Sequence, residues 1–407
     1  MDKKIIKPEL VSPAGDWPSL VAAVENGADS VYFGVKILNM RNLAPNFDIM
    51  ELPKIMRFLR DNNKKGYLAL NVIVLDKELA KVESILRVAK KAGVDAVILW
   101  DMAVFSIASK LGLKIHLSTQ ASVSNKEAVL FFSELGAKRI VLARECSLED
   151  IKRITDYIAK RRLRCEIETF IHGAMCVSIS GRCFLSEYSF GKSANRGQCL
   201  QPCRREYYIS DVEEKVSYRL GKDYILSPKD LCAIDFLDDL VASGAHAFKI
   251  EGRKKSAEYV RVVTSVYRRA IDAVSEGSLS ASLKRDLKKE LKTVYNRGFS
   301  EGLLFGDSPG KISRGIEHTH EKVFVGEVTK FFKKISVAQI KIFDHPLKVG
   351  DTIMFIGKTT PARQTPVTQI QYQHKPRKRA LRGEQVGVKL PFLVRLNDKV
   401  FLWRKKE

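Results

Sequence analysis

The chain has 407 residues, 45% of them apolar, and a formal net charge of +23. This length suits one large domain plus a smaller one, and the apolar fraction is enough for a hydrophobic core. No stretch is long and apolar enough to cross a membrane, and the N-terminal MDKKIIKPEL lacks the apolar segment of a signal peptide. We therefore expect a cytoplasmic protein with no membrane partner.

Strand-like runs alternate with amphipathic helical stretches from the N-terminus onward. In chain order the runs are ELVSPAG, DSVYFGV, YLALNVIV, DAVILWD, KIHLSTQ, RIVLARE, CEIETFIHG and AFKIEGR. Between them, segments such as LAKVESILRVAKKAG repeat apolar residues at intervals of three and four, which is typical of helices. Eight alternations predict an α/β fold, a TIM-like (β/α)8 barrel over residues 1–315. A doubly wound open sheet is the alternative, but no strand is followed by GxGxxG.

The regular spacing breaks once, after the seventh strand, between about residues 173 and 245. This insert contains most of the cysteines, and its segment REYYISDVEEKVSYRLGKDYILSP predicts a hairpin of two strands. Inserts of this length between a strand and its helix usually have a functional role.

After residue 315 the pattern changes to short strands separated by Gly, Pro and Asp, which predicts a small C-terminal β-barrel over residues 316–407. From Glu321 onward there are 19 Lys and Arg against 7 Asp and Glu, a balance of +12 out of +23. This basic domain favours a polyanionic partner, nucleic acid first, although solubility alone is the other explanation. The run HKPRKRALRG is either a solvated loop or one that contacts phosphates through Lys375, Arg377, Lys378 and Arg379.

Polar residues stand where the predicted barrel strands end, and catalysis normally occurs at that face of a barrel. Several isolated polar strand ends are structural in most proteins, but eight of them predict a polar mouth. The candidate residues at these ends and in the loop after strand two are Arg41, Asn42, Asn71, Gln120, Arg144, Glu145, Glu168, His172, Glu251 and Arg253.

Seven cysteines, an odd number, make a disulfide framework or a disulfide-linked partner improbable in this chain. Five of them cluster in the insert: Cys176, Cys183, Cys199, Cys203 and Cys232. No CxxC pair occurs, so a zinc ribbon fits poorly, and either an iron–sulfur cluster or a set of buried thiols remains open. We interpret Cys146 and Cys165 as structural because they lie in or beside strands.

A peptidase would need a nucleophile with a base, or a metal with an open position. Neither GxSxG nor HExxH occurs in the sequence. His172 and a nearby thiol form the one candidate pair, without a clear third group.

The segment ETFIHGAMCVSISGRCFLS resembles the signature of the collagenase-like peptidase family U32. LVSPAGDWPSLVAAVENGADSVYFG, STQASVSN, RGQCLQPCRREY and FKIEGRKKSAEYV resemble that family as well, so the resemblance covers about residues 8 to 300. Members of similar length with a C-terminal β-barrel resemble the tRNA hydroxylation proteins, which implies formation of 5-hydroxyuridine at the wobble position, with prephenate as a co-substrate. The resemblance also implies a 4Fe-4S cluster on Cys176, Cys183, Cys199 and Cys232, with Cys203 in reserve as the fourth ligand.

Three functions follow from these observations. The first is an RNA-modifying enzyme, with tRNA as the leading substrate, in which His172, Glu168, Glu251, Arg253, Glu145 and Asn71 position substrate and move protons. Its substrate contacts would be Arg41, Asn42, Gln120, Arg144 and the four tail cations, and Arg253 or Arg144 would bind a carboxylate. The second is a peptidase, and the third is a non-catalytic RNA-binding factor with a structural cluster. The sequence leaves the oligomeric state open.

Overall fold

The protein is described by a computed structural model that covers residues 7–210, 217–219, 226–306, 313 and 315–406. Through residue 306 its strands are, in chain order, β1 (Glu9–Ala14), β2 (Ser30–Phe33), β3 (Lys65–Ala69), β4 (Ala96–Leu99), β5 (Ile115–Leu117), β6 (Arg139–Val141), β7 (Glu166–Gly173), β8 (Tyr208–Ser210), β9 (Ser217–Arg219), β10 (Asp230–Cys232), β11 (Ala247–Ile250) and β12 (Phe299–Ser300).

Eight parallel strands form a closed barrel. Strands β1 to β7 pair in sequence order, and β11 pairs with both β7 and β1, which closes the ring. This closure confirms the predicted (β/α)8 fold class and excludes the open-sheet alternative, in which the first and last strands would be edges.

The helices follow the strands in chain order, and those other than α7, which belongs to the insert, pack on the outside of the barrel. They are α1 (Trp17–Glu25), α2 (Leu52–Asp61), α3 (Leu79–Ala92), α4 (Met102–Lys110), α5 (Lys126–Glu134), α6 (Leu148–Arg161), α7 (Leu185–Phe190), α8 (Leu237–Ala242), α9 (Ala257–Ser275) and α10 (Ala281–Leu291).

Local sequence sets where several of these helices begin and end. Asp16 accepts a hydrogen bond from the backbone N–H of Ser19 at 2.9 Å and so caps the start of α1. Asp101 caps α4 in the same way through the N–H of Ala103. Gly93 ends α3 in the left-handed conformation with φ of 74°, which glycine adopts without a steric penalty.

The insert after β7 lies across the carboxyl end of the barrel. It contains α7, the hairpin of β8 and β9, and β10, which pairs antiparallel with β7. The two strands of the predicted hairpin are therefore present, and residues 211–216 of its turn and 220–225 after it lie outside the described part of the chain.

The C-terminal strands form antiparallel sheets. They are β13 (His320–Phe332), β14 (Val337–Ile342), β15 (Leu347–Lys348), β16 (Thr352–Gly357), β17 (Thr360–Pro366), β18 (Ile370–Tyr372), β19 (Lys375–Arg377), β20 (Arg379–Ala380), β21 (Gln385–Lys389) and β22 (Lys399–Lys405). Eight of them pair in one sheet around a separate apolar core that includes Val325, Phe355 and Val400.

The C-terminal sheet packs against α1 and α9 of the barrel. Met354 and Ala362 belong to the barrel's own buried cluster, and Arg363 forms an ion pair with Glu25 at 2.9 Å. Lys322 forms a second pair with Glu258 at 2.7 Å. The predicted domain boundary at residues 315–316 falls between β12 and β13, and residues 307–312 and 314 beside it lie outside the described part. Within the described residues, no helix is both long and apolar enough to cross a lipid bilayer.

Candidate active site at the carboxyl end of the barrel

One pocket opens where the barrel strands end and the insert covers them. Its empty volume is about 1210 Å³, including the part open to solvent. The predicted residues that line it are Arg41, Asn71, Gln120, Arg144, Glu251 and Arg253, together with the thiols of Cys176, Cys183, Cys199 and Cys203.

A buried carboxylate with arginines around it stands at the centre of this pocket. Arg41 donates to Glu251 Oε1 from Nη2 at 2.8 Å and from Nε at 3.1 Å, and Arg144 Nη2 lies 3.9 Å from Glu251 Oε2. Burial on its own would raise the pKa of Glu251, but Arg41 and Arg144 outweigh burial and lower it to about 2. Glu251 is therefore ionised at neutral pH, and its main effect is to fix the Arg41 guanidinium.

Arg253 lines the same pocket and has an unsatisfied nitrogen. The residue is only 3% exposed, and its Nη1 atom makes no hydrogen bond within the described structure. Burial lowers the pKa of Arg253 to about 10, so the side chain keeps its charge at neutral pH. A Cβ on Gly34 would lie 2.3 Å from Nη1, so the glycine is what makes room for this guanidinium.

Amide and hydroxyl groups also line the pocket. Asn71 Nδ2 lies 3.4 Å from both Ser118 Oγ and Gln120 Oε1, and Asn71 Oδ1 accepts from the N–H of Met40 at 3.2 Å. Tyr32 donates to the Ile250 carbonyl at 2.9 Å, and burial raises its pKa well above the usual value. These neutral groups can donate and accept hydrogen bonds at the edge of a polar ring.

Four thiols converge on the pocket from the insert. The backbone N–H of Leu185 lies 3.3 Å from Cys183 Sγ, and that of Gln201 lies 3.4 Å from Cys199 Sγ. Such N–H groups stabilise thiolates, because they place partial positive charge at the sulfur. Among the described residues, no group of three or more Cys, His, Asp or Glu side chains is close enough together to bind a single metal ion.

The structure places Cys203, rather than Cys232, beside the other three cysteines. Cys232 is buried on β10, where its register partner is His172 and Tyr267 Oη lies 3.8 Å from its sulfur. Burial raises the pKa of Cys232 to about 11, as expected of an inert core thiol. The family resemblance implied Cys232 as the fourth ligand, with Cys203 in reserve, but the antiparallel return of β10 against β7 turns the Cys232 thiol away from the pocket.

His172 does not line the pocket either. Between Phe170 and His172, β7 has an irregularity: Phe170 pairs with Lys249 and His172 pairs with Ile250, which leaves Ile171 as an extra residue. The bulge turns His172 to the outside of the barrel, where Nδ1 lies 3.2 Å from Tyr267 Oη of α9. Burial lowers the pKa of His172 to about 4, so it is a neutral core histidine, and its predicted position at the mouth is wrong.

Glu168 lies deeper in the barrel than predicted. Its carboxylate accepts from Lys249 Nζ at 2.6 Å and lies 3.2 Å from Arg139 Nη1, which also bonds Glu9 at 3.0 Å. These buried pairs fill the barrel interior below the pocket. Among them, Lys249 alone lines the pocket as well.

Glu145 and Asn42 also lie outside the main pocket. Glu145 accepts from the N–H of Ser180 at 2.8 Å and from its hydroxyl at 3.0 Å, so it anchors the turn of the insert. Asn42 lines a neighbouring groove with Arg196 and Phe184. The tail cations Lys375, Arg377, Lys378 and Arg379 are exposed around β19 and β20, and their contact with substrate stays a prediction.

Lys249, Arg204 and Lys254 line the pocket but were missed by sequence reasoning. Lys249 had a usable signal. It precedes Glu251 and Arg253 at intervals of two, and residues at that spacing on a strand face the same side. Arg204 and Lys254 lie in irregular segments, where no periodicity indicates direction.

The model of peptidase family U32 matches residues 15–314. An uncharacterized protease of Methanocaldococcus jannaschii is 45% identical over 98% of both chains, and a collagenase of Porphyromonas gingivalis is 36% identical over 98% of both. The tRNA hydroxylation protein P1 of Bacillus subtilis is 34% identical over 87% of this chain and 85% of its own. Because the family model covers most of the chain and these relatives align along nearly all of it, this protein belongs to peptidase family U32.

Proposed function

We propose that this protein is an RNA-modifying enzyme that hydroxylates the wobble uridine of tRNA to 5-hydroxyuridine. The observation that supports it is one pocket in which four thiols face a cluster of buried arginines. The similarity to a tRNA hydroxylation protein over most of both chains supports the same reaction. Hydroxylation replaces the C5–H bond by C5–OH, so it needs a redox group and an oxygen donor.

Cys176, Cys183, Cys199 and Cys203 are the proposed ligands of a 4Fe-4S cluster. They fit this group because all four sulfurs line one pocket and two of them have backbone N–H neighbours. A four-iron cluster is wider than one ion, so its ligands stand farther apart than those of a single metal. The cluster, when bound, would supply electron transfer.

The pocket's own residues would bind and orient the base. Asn71 and Gln120 offer amide groups at hydrogen-bonding positions for a uracil edge, and a base must leave its stack to reach them. Glu251 is a poor proton acceptor at neutral pH because its pKa is near 2, so we assign it to positioning Arg41.

Arg253 and Arg144 are the proposed binding groups for a carboxylate co-substrate, with prephenate as the candidate. Arg253 Nη1 has no partner in the described structure, although it is buried and faces the pocket. A carboxylate would satisfy this atom and offset the desolvation of the guanidinium.

A thiol peptidase has less support from the same pocket. No histidine is among its described lining residues, and His172, the predicted base, faces α9 instead. A cysteine nucleophile at this site would therefore lack the imidazole that normally activates it.

Nucleoside analysis of tRNA tests the proposal. A bacterial strain without its own tRNA hydroxylation proteins would receive wild type, Cys199→Ser, or the control Cys165→Ser, whose thiol is buried outside the pocket. We expect wild type and Cys165→Ser to restore 5-hydroxyuridine and Cys199→Ser to fail. Unmodified tRNA with the wild-type protein, together with cleavage of a collagen peptide that survives Cys199→Ser, would favour the peptidase.

A further inference from the structure

Aromatic side chains stand exposed at the rim of the pocket, on and beside the short helix α7. Phe184 is 58% exposed, Tyr188 86% and Phe190 39%. The rings of Phe184 and Tyr188 lie 5.9 Å apart at an angle of 39°. We call these three residues the aromatic ridge.

The local packing of α7 is the reverse of an ordinary surface helix. Its buried residue is Ser186, whose hydroxyl accepts a hydrogen bond from the N–H of Leu200 at 3.0 Å. This hydrogen bond joins the polar side of α7 to the rest of the insert, and the aromatic side faces solvent. Single exposed apolar residues are common, but three aromatic rings within seven positions indicate a binding surface.

The aromatic ridge separates two concavities. Cys183 and Leu185 line the main pocket, while Phe184 and Glu187, beside them in sequence, line the neighbouring groove. A chain that crosses the ridge would therefore place one unit in the pocket and its neighbours on the aromatic rings.

Positive charge accompanies the rings. The Arg205 guanidinium lies 4.3 Å from the centre of the Phe190 ring, and Lys192 is exposed two residues after Phe190. Residues 176–207 contain five Lys or Arg against two Asp or Glu. Aromatic rings with neighbouring cations match the bases and phosphates of an unpaired strand.

We propose that the aromatic ridge binds single-stranded RNA, with the nucleotides that flank the target base stacked on Phe184 and Tyr188 and their phosphates near Lys192 and Arg205. This inference rests on the proposed function and specifies where the RNA lies. A peptide partner would use the apolar area but would leave the local positive charge, and the overall +23, without a counterpart.

Fluorescence anisotropy on the full chain tests this surface. The probe is a labelled oligouridine of about 12 nucleotides, compared with an RNA duplex of equal phosphate number at one fixed salt concentration. The variants are Phe184→Ala and Tyr188→Ala, with Tyr188→Trp as the conservative change. Phe131→Ala is the matched control, because Phe131 is 57% exposed but lies on α5, outside the lining of both concavities.

We expect wild type to prefer the single strand and each alanine variant at the aromatic ridge to weaken its binding at least ~5-fold. Tyr188→Trp and Phe131→Ala should bind like wild type, and all variants should melt at the same temperature because the changed rings are exposed. Equal affinity for single strand and duplex, or no loss in the alanine variants, would overturn the inference. A collagen peptide whose binding needs the ridge, with RNA binding unaffected, would overturn it in favour of a peptide.

The two proposals fail in different ways. If the wild type forms 5-hydroxyuridine but the alanine variants bind RNA normally, the ridge is wrong and the proposed function stands. If single-strand binding needs the ridge but tRNA gains no hydroxyl group, the proposed reaction is wrong and the ridge stands.

Discussion

Removing Arg41 should destabilise the protein through Glu251. Arg41 makes two hydrogen bonds to this buried carboxylate, whose other neighbouring cations are Arg144, at 3.9 Å, and Arg253. The difference between the ordinary pKa of 4.5 and the value of about 2 corresponds to about 3 kcal/mol at neutral pH. This value is the net of burial, which raises the pKa, and of Arg41, Arg144 and Arg253, which lower it. Because Arg41 makes the largest lowering contribution, we expect Arg41→Met to reduce the free energy of unfolding by on the order of 3 kcal/mol at pH 7.

The stability difference between wild type and Arg41→Met should depend on pH in a direction set by the pKa of Glu251. The pKa of Glu251 is lowered in the folded state, so its stabilising contribution is complete above about pH 4.5 and disappears as the pH falls towards 2. In Arg41→Met, the cation that lowers the pKa of Glu251 most is lost, so burial raises that pKa. The difference in stability between wild type and variant should therefore shrink on acidification, to about half or less at pH 3.

Urea unfolding followed by tryptophan fluorescence measures both quantities. Arg153→Met is the matched control: Arg153 is 68% exposed and pairs with Glu149 on the surface of α6, so it should cost about 0.5 kcal/mol or less. The double variant Arg41→Met with Glu251→Gln should recover part of the loss, because no charge is then left unpaired. A loss for Arg41→Met that equals the control, or one that stays constant with pH, would refute the reasoning.

Two further predictions concern the cluster ligands and the basic tail. After anaerobic purification, Cys203→Ser should lose most bound iron and Cys232→Ser should keep it, because Cys203 lines the pocket with the other three thiols and Cys232 does not. The reverse pattern would support the ligand set that the family resemblance implied. Lys378→Glu with Arg379→Glu should weaken RNA binding and flatten its salt dependence relative to Lys333→Glu with Lys334→Glu, an equal change of charge in the exposed turn between β13 and β14. Equal effects would mean that the tail acts through net charge alone.

The barrel was predictable because its signal repeats. Each strand is an apolar run and each helix has a 3.6-residue periodicity. Eight such strand–helix alternations occur, and eight is the number of strands in a (β/α)8 barrel. Arg41, Asn71, Gln120, Arg144, Glu251 and Arg253 were found for the same reason, since all lie at or just beyond strand ends. Repeated patterns in the sequence therefore predicted the fold and these six pocket residues.

The failures come from single, non-repeating events. One extra residue in β7 turned His172 away from the mouth, and no feature of FIHG identifies that bulge. The antiparallel return of β10 removed Cys232 from the thiol group, because sequence spacing does not determine which side of a returning strand faces the pocket. The first event lies in the last residues of β7 and the second follows it, where the insert replaces the regular alternation.

Charge in the barrel mouth points to an anionic occupant. In the interior of the barrel, the positive charges of Lys249 and Arg139 are balanced by the carboxylates of Glu168 and Glu9. These four groups therefore need no further counterion. In the layer above, the arginines Arg41, Arg144 and Arg253 face the single carboxylate of Glu251.

Burying this excess of two positive charges is costly unless an opposite charge accompanies it. A hydrophobic or neutral peptide substrate would leave the cost uncompensated, and the unsatisfied Nη1 of Arg253 would remain without a partner. A carboxylate or phosphate from the substrate would neutralise the layer. The same electrostatic requirement therefore accounts for the free guanidinium of Arg253 and supports the proposed acidic co-substrate and the proposed RNA substrate.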